Sequence, residues 1–276
     1  MTTPTAVTLG FSPCPNDTYI FNALVHGRIP LSGVSLAGVY LEDVETLNEW
    51  ALHERLDISK LSFHAFGHVA ANYALLQAGA ALGRGCGPLL ISGNGNKPRD
   101  MANWTIAIPG TYTTAALLLR LFQPACRHLV VMRFDRIMEA ITAGTVDAGV
   151  IIHESRFTYQ ELGLHCIRDL GEWWEQTTDL PIPLGCIAIK KTLPTAVREE
   201  VDAAIAASIR WAESHPEEGW AYIQSHAQEM DPQVMRSHID LYVNRYSKGL
   251  GEEGLHAVRE LLRRGAAAGL FPPCVI

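Results

Sequence analysis

Residues 93–103 read GNGNKPRDMAN, a polar stretch broken by Gly95 and Pro98. Glycine, proline and asparagine at that density mark a linker or crossover rather than the inside of an element. Before it, strands and helices alternate. Residues 7–11 read as a strand; Pro13 and Pro15 end it, and Asn16 is placed to cap a helix over 17–26. A strand over 35–40 follows, then Val44, Leu47 and Ala51 at helical spacing behind Glu42 and Asp43. A short strand over 58–61, a helix through Phe66, Val69 and Tyr73, and a strand over 88–92 complete this first set. Beyond the polar stretch the alternation restarts: strand 104–108, a helix over 113–122 that is apolar nearly all round, strand 128–132, helix 135–143 stopped by Gly144, and strand 146–152. Pro181 and Pro183 make a second break before a strand over 186–189. The remainder is helical, beginning with Val197, Val201, Ile205, Ser208 and Ala212 at helical spacing and continuing through three more helices.

Two βα sets separated by two breaks predict an α/β chain with mostly parallel pairing. The economical arrangement is two lobes: residues 1–94 and 185–276 form a discontinuous lobe I, and 95–184 form lobe II. Two crossovers then leave a ligand cleft between them. One continuous sheet is the alternative.

The chain has 276 residues and a net charge of −7, and its densest basic pairs are Lys190-Lys191 and Arg263-Arg264. It presents no basic face for nucleic acid, and no apolar run approaches the length of a membrane span. The six cysteines are dispersed, none closer than Cys166 and Cys186, which excludes CxxC redox motifs and zinc ribbons. The first eleven residues lack the basic and long apolar regions of a secretory signal, so a reduced, cytoplasmic setting is expected. The expected partner is a small-molecule substrate, with no nucleic acid, no membrane and no obligate protein partner.

Four segments carry candidate chemistry, since ligands of open α/β folds sit at the carboxyl ends of strands. Residues 12–18, SPCPNDT, bring Asn16 and Asp17 to such an end, although helix capping alone also accounts for them. Residues 59–62, SKLS, place Lys60, Leu61 and Ser62 there, with a cation and hydroxyls for an anionic or hydroxylated ligand, or simply a solvated lysine. Residues 109–114, PGTYTT, put Thr113 and Thr114 in the first turn of a buried helix, as oxygen-binding groups or as plain caps. Residues 150–157, VIIHESRF, are the most informative. A wholly apolar strand ends abruptly in His153, Glu154, Ser155 and Arg156. A histidine titrating near neutrality at a cleft edge is the natural general base, with Glu154 or Arg156 to orient it. His64 and His68 have a metal-binding i,i+4 spacing, but Ala65 follows where a metalloprotease needs glutamate, and no metal is expected. Residues 83–87, GRGCG, read as a tight turn, since no GxGxxG follows the first strand and no GK[ST] occurs.

These segments, with LEDVETL (41–47), ALGRGCGP (81–88) and DLPIPLG (179–185), resemble the 1,4-dihydroxy-6-naphthoate synthase family of the futalosine route to menaquinone. The likeness runs in order through nearly the whole chain, and the SPCPND and HESRF strings are its most specific parts. The resemblance implies a periplasmic-binding-protein-like type II fold used as an enzyme. It implies a lyase that converts cyclic dehypoxanthinylfutalosine to 1,4-dihydroxy-6-naphthoate with release of dihydroxyacetone, without cofactor. By this likeness His153 matches the general base, and Lys60, Leu61, Ser62, Thr113 and Thr114 match substrate-contacting segments. The competing readings are chorismate dehydratase of the same pathway, against which HESRF argues, a non-catalytic solute-binding protein, and the sensing domain of a regulator.

Overall fold

The computed structural model describes residues 3–93, 101–228 and 231–276. Most of the expected 93–103 linker, residues 94–100, lies outside the described residues. The chain opens with β1 (Thr5–Phe11), α1 (Pro15–Val25), β2 (Val34–Leu41), α2 (Val44–Leu52), β3 (Ile58–Ser62) and α3 (Phe63–Val69), then β4 (Tyr73–Leu75) and β5 (Ala81–Gly83). Next come β6 (Leu89–Ser92), β7 (Thr105–Ile108), α4 (Thr114–Phe122), β8 (His128–Val131), α5 (Ile137–Thr142), β9 (Ala148–Ile151), α6 (Ser155–Thr158), β10 (His165–Asp169) and α7 (Leu170–Thr178). The last part is β11 (Ile182–Lys190) and the helices α8 (Thr195–Ser214), α9 (Trp220–His226), α10 (Pro232–Tyr242), α11 (Arg245–Lys248) and α12 (Gly251–Ala267).

Among the described residues two sheets result, as the α/β reading expects, but the pairing is mixed rather than mostly parallel, four strand pairs parallel and five antiparallel, because β6 and β11, which carry the chain between the sheets, enter them antiparallel. In the first, the order is β2-β1-β3-β11-β4, with β5 also paired to β11. β1 runs parallel to β2 and β3, and β11 returns antiparallel to β3. In the second, the order is β10-β6-β9-β7-β8; β7 is parallel to β8 and β9, and β6 is antiparallel to β9 and β10.

The place of β6 differs from expectation. The strand belongs to the second sheet, so the chain changes lobe between Gly83 and Leu89, ahead of the polar stretch. Its four residues are all buried. Such a run is visible locally as a strand, but its partners β9 and β10 lie far along the chain. The glycines of the turn permit the crossing: a Cβ on Gly87 would collide with the backbone of Gly171, at the start of α7. The return falls just after α7, because β11 begins at Ile182 rather than 186. Pro183 is accommodated beside an irregularity in the β11–β5 register. The helix expected through Tyr73 stops at Val69, and Tyr73 opens β4 with its hydroxyl donating to the Leu56 carbonyl at 2.6 Å.

Hydrophobic burial explains the layering. Along β9, Ala148 and Val150 join the main core, while Ile151 joins a smaller cluster with Ile137 and Ile141 of α5. That is the alternation of a strand covered on both faces. The main core also takes Leu117, Leu118 and Leu119 of α4 and Val258 and Leu261 of α12, so it passes from one sheet to the other. Truncating one such leucine to alanine costs about 2–5 kcal/mol. Among the described residues no helix is long and apolar enough to cross a membrane.

Candidate active site

β1 and β3 are parallel neighbours, and so are β7 and β9. The segments leaving their carboxyl ends line one cleft of about 650 Å³, counted out to its mouth. Ser12, Asn16 and Asp17 follow β1, Lys60 to Ser62 end β3, Thr113 to Ala115 follow β7, and Ile152 and His153 follow β9. Of the ten positions singled out in the sequence, His153, Lys60, Leu61, Ser62, Thr113, Thr114, Asn16 and Asp17 line this cleft.

His153 stands two residues beyond β9 with φ of 56°. A left-handed conformation is unfavourable for a residue that carries a Cβ, by on the order of 1 kcal/mol, and is held by its surroundings. The ring packs against Phe134, centroids 5.0 Å apart, and lies nearly parallel to His238 at 5.9 Å. Its face toward the cleft leaves it partly exposed. Burial is the main influence and lowers its pKa to about 4; Lys60 pushes the same way, against Asp17 and Asp43. The imidazole is therefore neutral at pH 7 and able to accept a proton.

Asn16 does not cap α1. Cys14 occupies the cap position and Pro15 the first turn. Asn16 instead joins a buried chain. His238 Nε2 donates to Asn16 Oδ1 at 2.9 Å, and Asn16 Nδ2 donates to Asp17 Oδ1 at 2.9 Å. Asp17 Oδ1 also receives Lys60 Nζ at 2.7 Å, and its Oδ2 receives the Ser12 hydroxyl at 2.8 Å. Lys60 is thus neutralised inside the protein, and its charge is not left over for a ligand carboxylate as the sequence suggests. Lysine and aspartate are 5% and 1% exposed; removing either would strand a buried charge.

The threonines are likewise committed. The Thr113 hydroxyl donates to the Gly110 carbonyl at 2.8 Å and accepts from Ala116 N at 3.2 Å, the N-cap of α4. The Thr114 hydroxyl donates to the Leu184 carbonyl at 2.6 Å. What α4 offers the cleft is its first-turn amides, those of Thr114 and Ala115, which have no intrahelical acceptor. Opposite, Ser62 Oγ accepts from Asn48 Nδ2 at 3.2 Å, so its proton is free to point elsewhere. Asn48 in turn donates to Glu45 at 3.1 Å, and Glu45 accepts the Tyr112 amide at 2.9 Å. A buried glutamate of the first lobe therefore grips the loop that leads into α4. Burial raises its pKa, partly offset by these hydrogen bonds.

A family profile described as menaquinone biosynthesis matches residues 7–267. A protein of Thermus thermophilus named 1,4-dihydroxy-6-naphtoate synthase is 47% identical over 268 residues, 97% of this chain and 97% of that protein. The chain belongs to the menaquinone biosynthesis family. A second member carrying that name, from Streptomyces coelicolor, is 45% identical over 269 residues, 96% of this chain and 94% of its own. Among solved structures, protein AF1704 from Archaeoglobus fulgidus is 34% identical, with a TM-score of 0.90 over 96% of this chain and 98% of that one. The periplasmic aliphatic sulphonate binding protein SsuA of Escherichia coli has a TM-score of 0.67 at 15% identity, covering 99% and 90%, and shares the fold. The type II binding-protein architecture expected from the resemblance is thereby found.

Within this family frame, the two neighbours of His153 have different places. Arg156 reaches the Gly87 carbonyl at 2.6 Å and Asp169 at 2.7 Å, bracing the crossover against β10 rather than orienting His153. Glu154 lies behind the cleft, its Oε2 3.7 Å from His238 Nδ1. His64 has its Nδ1 3.2 Å from the Thr113 carbonyl, which can only accept, so the ring donates there and steadies the α4 cap. Sequence reasoning missed His238, Glu45 and Asn48. His238 left one signal, a histidine between Met235, Ile239 and Tyr242 on the buried face of α10.

Proposed function

We propose that this chain converts cyclic dehypoxanthinylfutalosine to 1,4-dihydroxy-6-naphthoate and dihydroxyacetone, with His153 as the general base. The two relatives' names supply the product class. The observation that carries the mechanism is the His153 imidazole facing a cleft lined from both lobes. The carbocycle must lose a proton so that electrons can move out through the breaking carbon–carbon bond. An uncharged histidine accepts that proton, and aromatisation of the product ring supplies part of the driving force. The chain's further work is to hold the substrate and exclude water. The amides of Thr114 and Ala115 and the hydroxyl of Ser62 are the donors for the substrate's carboxylate and oxygens. Lys60 acts at one remove, holding Asp17 and through it Asn16. The partner is this small molecule, and the setting is the cytoplasm, where the dispersed free cysteines stay reduced.

Purified protein mixed with the cyclic substrate should develop the naphthoate chromophore and release one dihydroxyacetone per naphthoate. Unchanged substrate after prolonged incubation with active-site concentrations of protein would overturn the reading, and chorismate run in parallel would expose the sister activity by product mass.

A further inference from the structure

Cys14, His153 and Glu154 come from the two lobes' strand ends, the first from the β1–α1 turn and the others from the segment after β9. One sulfur, one ring nitrogen and one carboxylate oxygen of these three all lie within 4.8 Å of one another. Behind them, His238 is 0% exposed and has its Nε2–H committed to Asn16, which fixes the tautomer. Its Nδ1 makes no hydrogen bond and faces Glu154 Oε2 at 3.7 Å. A thiol, an imidazole and a carboxylate together are the donor types of a thiophilic divalent ion; burial raises the Cys14 pKa, so the thiol would lose its proton as the ion binds.

We infer that Cys14, His153 and Glu154 form a site for zinc or a similar thiophilic ion, with His238 as a fourth nitrogen or a support for the Glu154 carboxylate. Such an ion is no part of the catalytic cycle. It occupies the lone pair that takes the substrate's proton, so it inhibits, and this consequence rests on the function proposed above. Binding itself does not, and the two are read separately.

The test uses the full chain without substrate. Zinc titrated by calorimetry should bind one ion per chain at this site. Cobalt(II) in its place should give the near-ultraviolet absorption of a thiolate–cobalt bond. Cys14→Ser should abolish that band and weaken zinc at least tenfold; His153→Gln should weaken it similarly, so the result does not depend on one variant folding. Cys166→Ser, at an exposed cysteine, should change neither. Equal zinc affinity in wild type and both site variants, absence of the thiolate band, or its loss in Cys166→Ser instead would overturn the site. With substrate present, zinc should lower turnover and a chelator restore it. Binding without inhibition would remove the regulatory consequence and leave the site standing, whereas no turnover in metal-free protein would be a failure of the proposed function alone.

Discussion

His153 concentrates the chemistry, and its environment makes a sharp claim about pH. A base works only when unprotonated, and burial lowers this one's pKa to about 4. The fall of kcat/KM on acidification should therefore come well below the ordinary histidine value of about 6.5. Activity measured from pH 8 to pH 4.5 on a short time scale, with stability controlled, should stay on its plateau through pH 5.5. An acid limb centred near 6.5 would mean that the ring in the working enzyme is not the desolvated one described here. His153→Gln keeps a polar side chain of similar reach without the proton acceptor. It should reduce kcat by about 10²–10⁴-fold with a much smaller change in KM. A variant near wild-type kcat would remove His153 as the base. This residue was legible because four polar groups abruptly end an apolar strand. His238, equally close to the centre, was not: on its own helix it is one polar position in a buried stripe, and only the fold brings α10 back onto Asn16.

At the scale of elements, α4 is the part whose sequence reading changed most in meaning. The helix and its threonines are plain in PGTYTT, which leaves open oxygen-binding hydroxyls or plain caps; the structure has a cap at Thr113 and a cross-strap at Thr114. Capping depends on local chain geometry and could be anticipated; the Thr114 bond to Leu184 joins segments 70 residues apart and could not. The same limit placed β6 in the wrong sheet, since pairing partners are non-local while the strand pattern is local. The cap makes a prediction. Thr113→Val loses the acceptor for Ala116 N and the donor to Gly110, so stability in urea should fall by about 1 kcal/mol. The first-turn amides lose their fixed direction with it, so KM should rise more than kcat falls, and Thr113→Ser should restore both. Equal kinetics in the valine variant would show that the α4 terminus does not hold the substrate. Glu45 bears on the same turn from the other lobe. Glu45→Ala leaves the Tyr112 amide without its acceptor and should raise KM together with a loss of roughly 1–3 kcal/mol in stability.

For the whole molecule, the histidines needed for function and packing set a cost in acid. His64 and His238 are 1% and 0% exposed, and burial is the first cause of the depressed pKa of each, to about 4 for His64 and well below the ordinary value for His238. His153, lowered likewise to about 4, adds a comparable part. In the unfolded chain each protonates near 6.5. Between that pH and the folded value the unfolded state binds more protons than the native one, so stability is full above 6.5 and declines as pH falls. Each fully buried histidine contributes a slope of about 1.4 kcal/mol per pH unit in this window, and His64 alone accounts for roughly 3 kcal/mol across it. His64→Asn keeps an N–H donor for the Thr113 carbonyl but does not titrate. Its stability at pH 7 should be lower than wild type, because the ring packs against Tyr112 and Phe271, but its decline toward pH 4.5 should be shallower by that one increment. Urea unfolding of both proteins at half-unit pH steps measures the slopes directly, and parallel lines would mean that His64 is protonated in the folded protein. Because His64 donates to the α4 cap and His153 faces the cleft that α4 lines, the neutrality that suits one ring to catalysis and the other to packing comes from the same junction between the lobes. Acid should therefore loosen the junction before it dissolves either sheet, with activity and the burial of Trp174 in the main core falling at separable pH values.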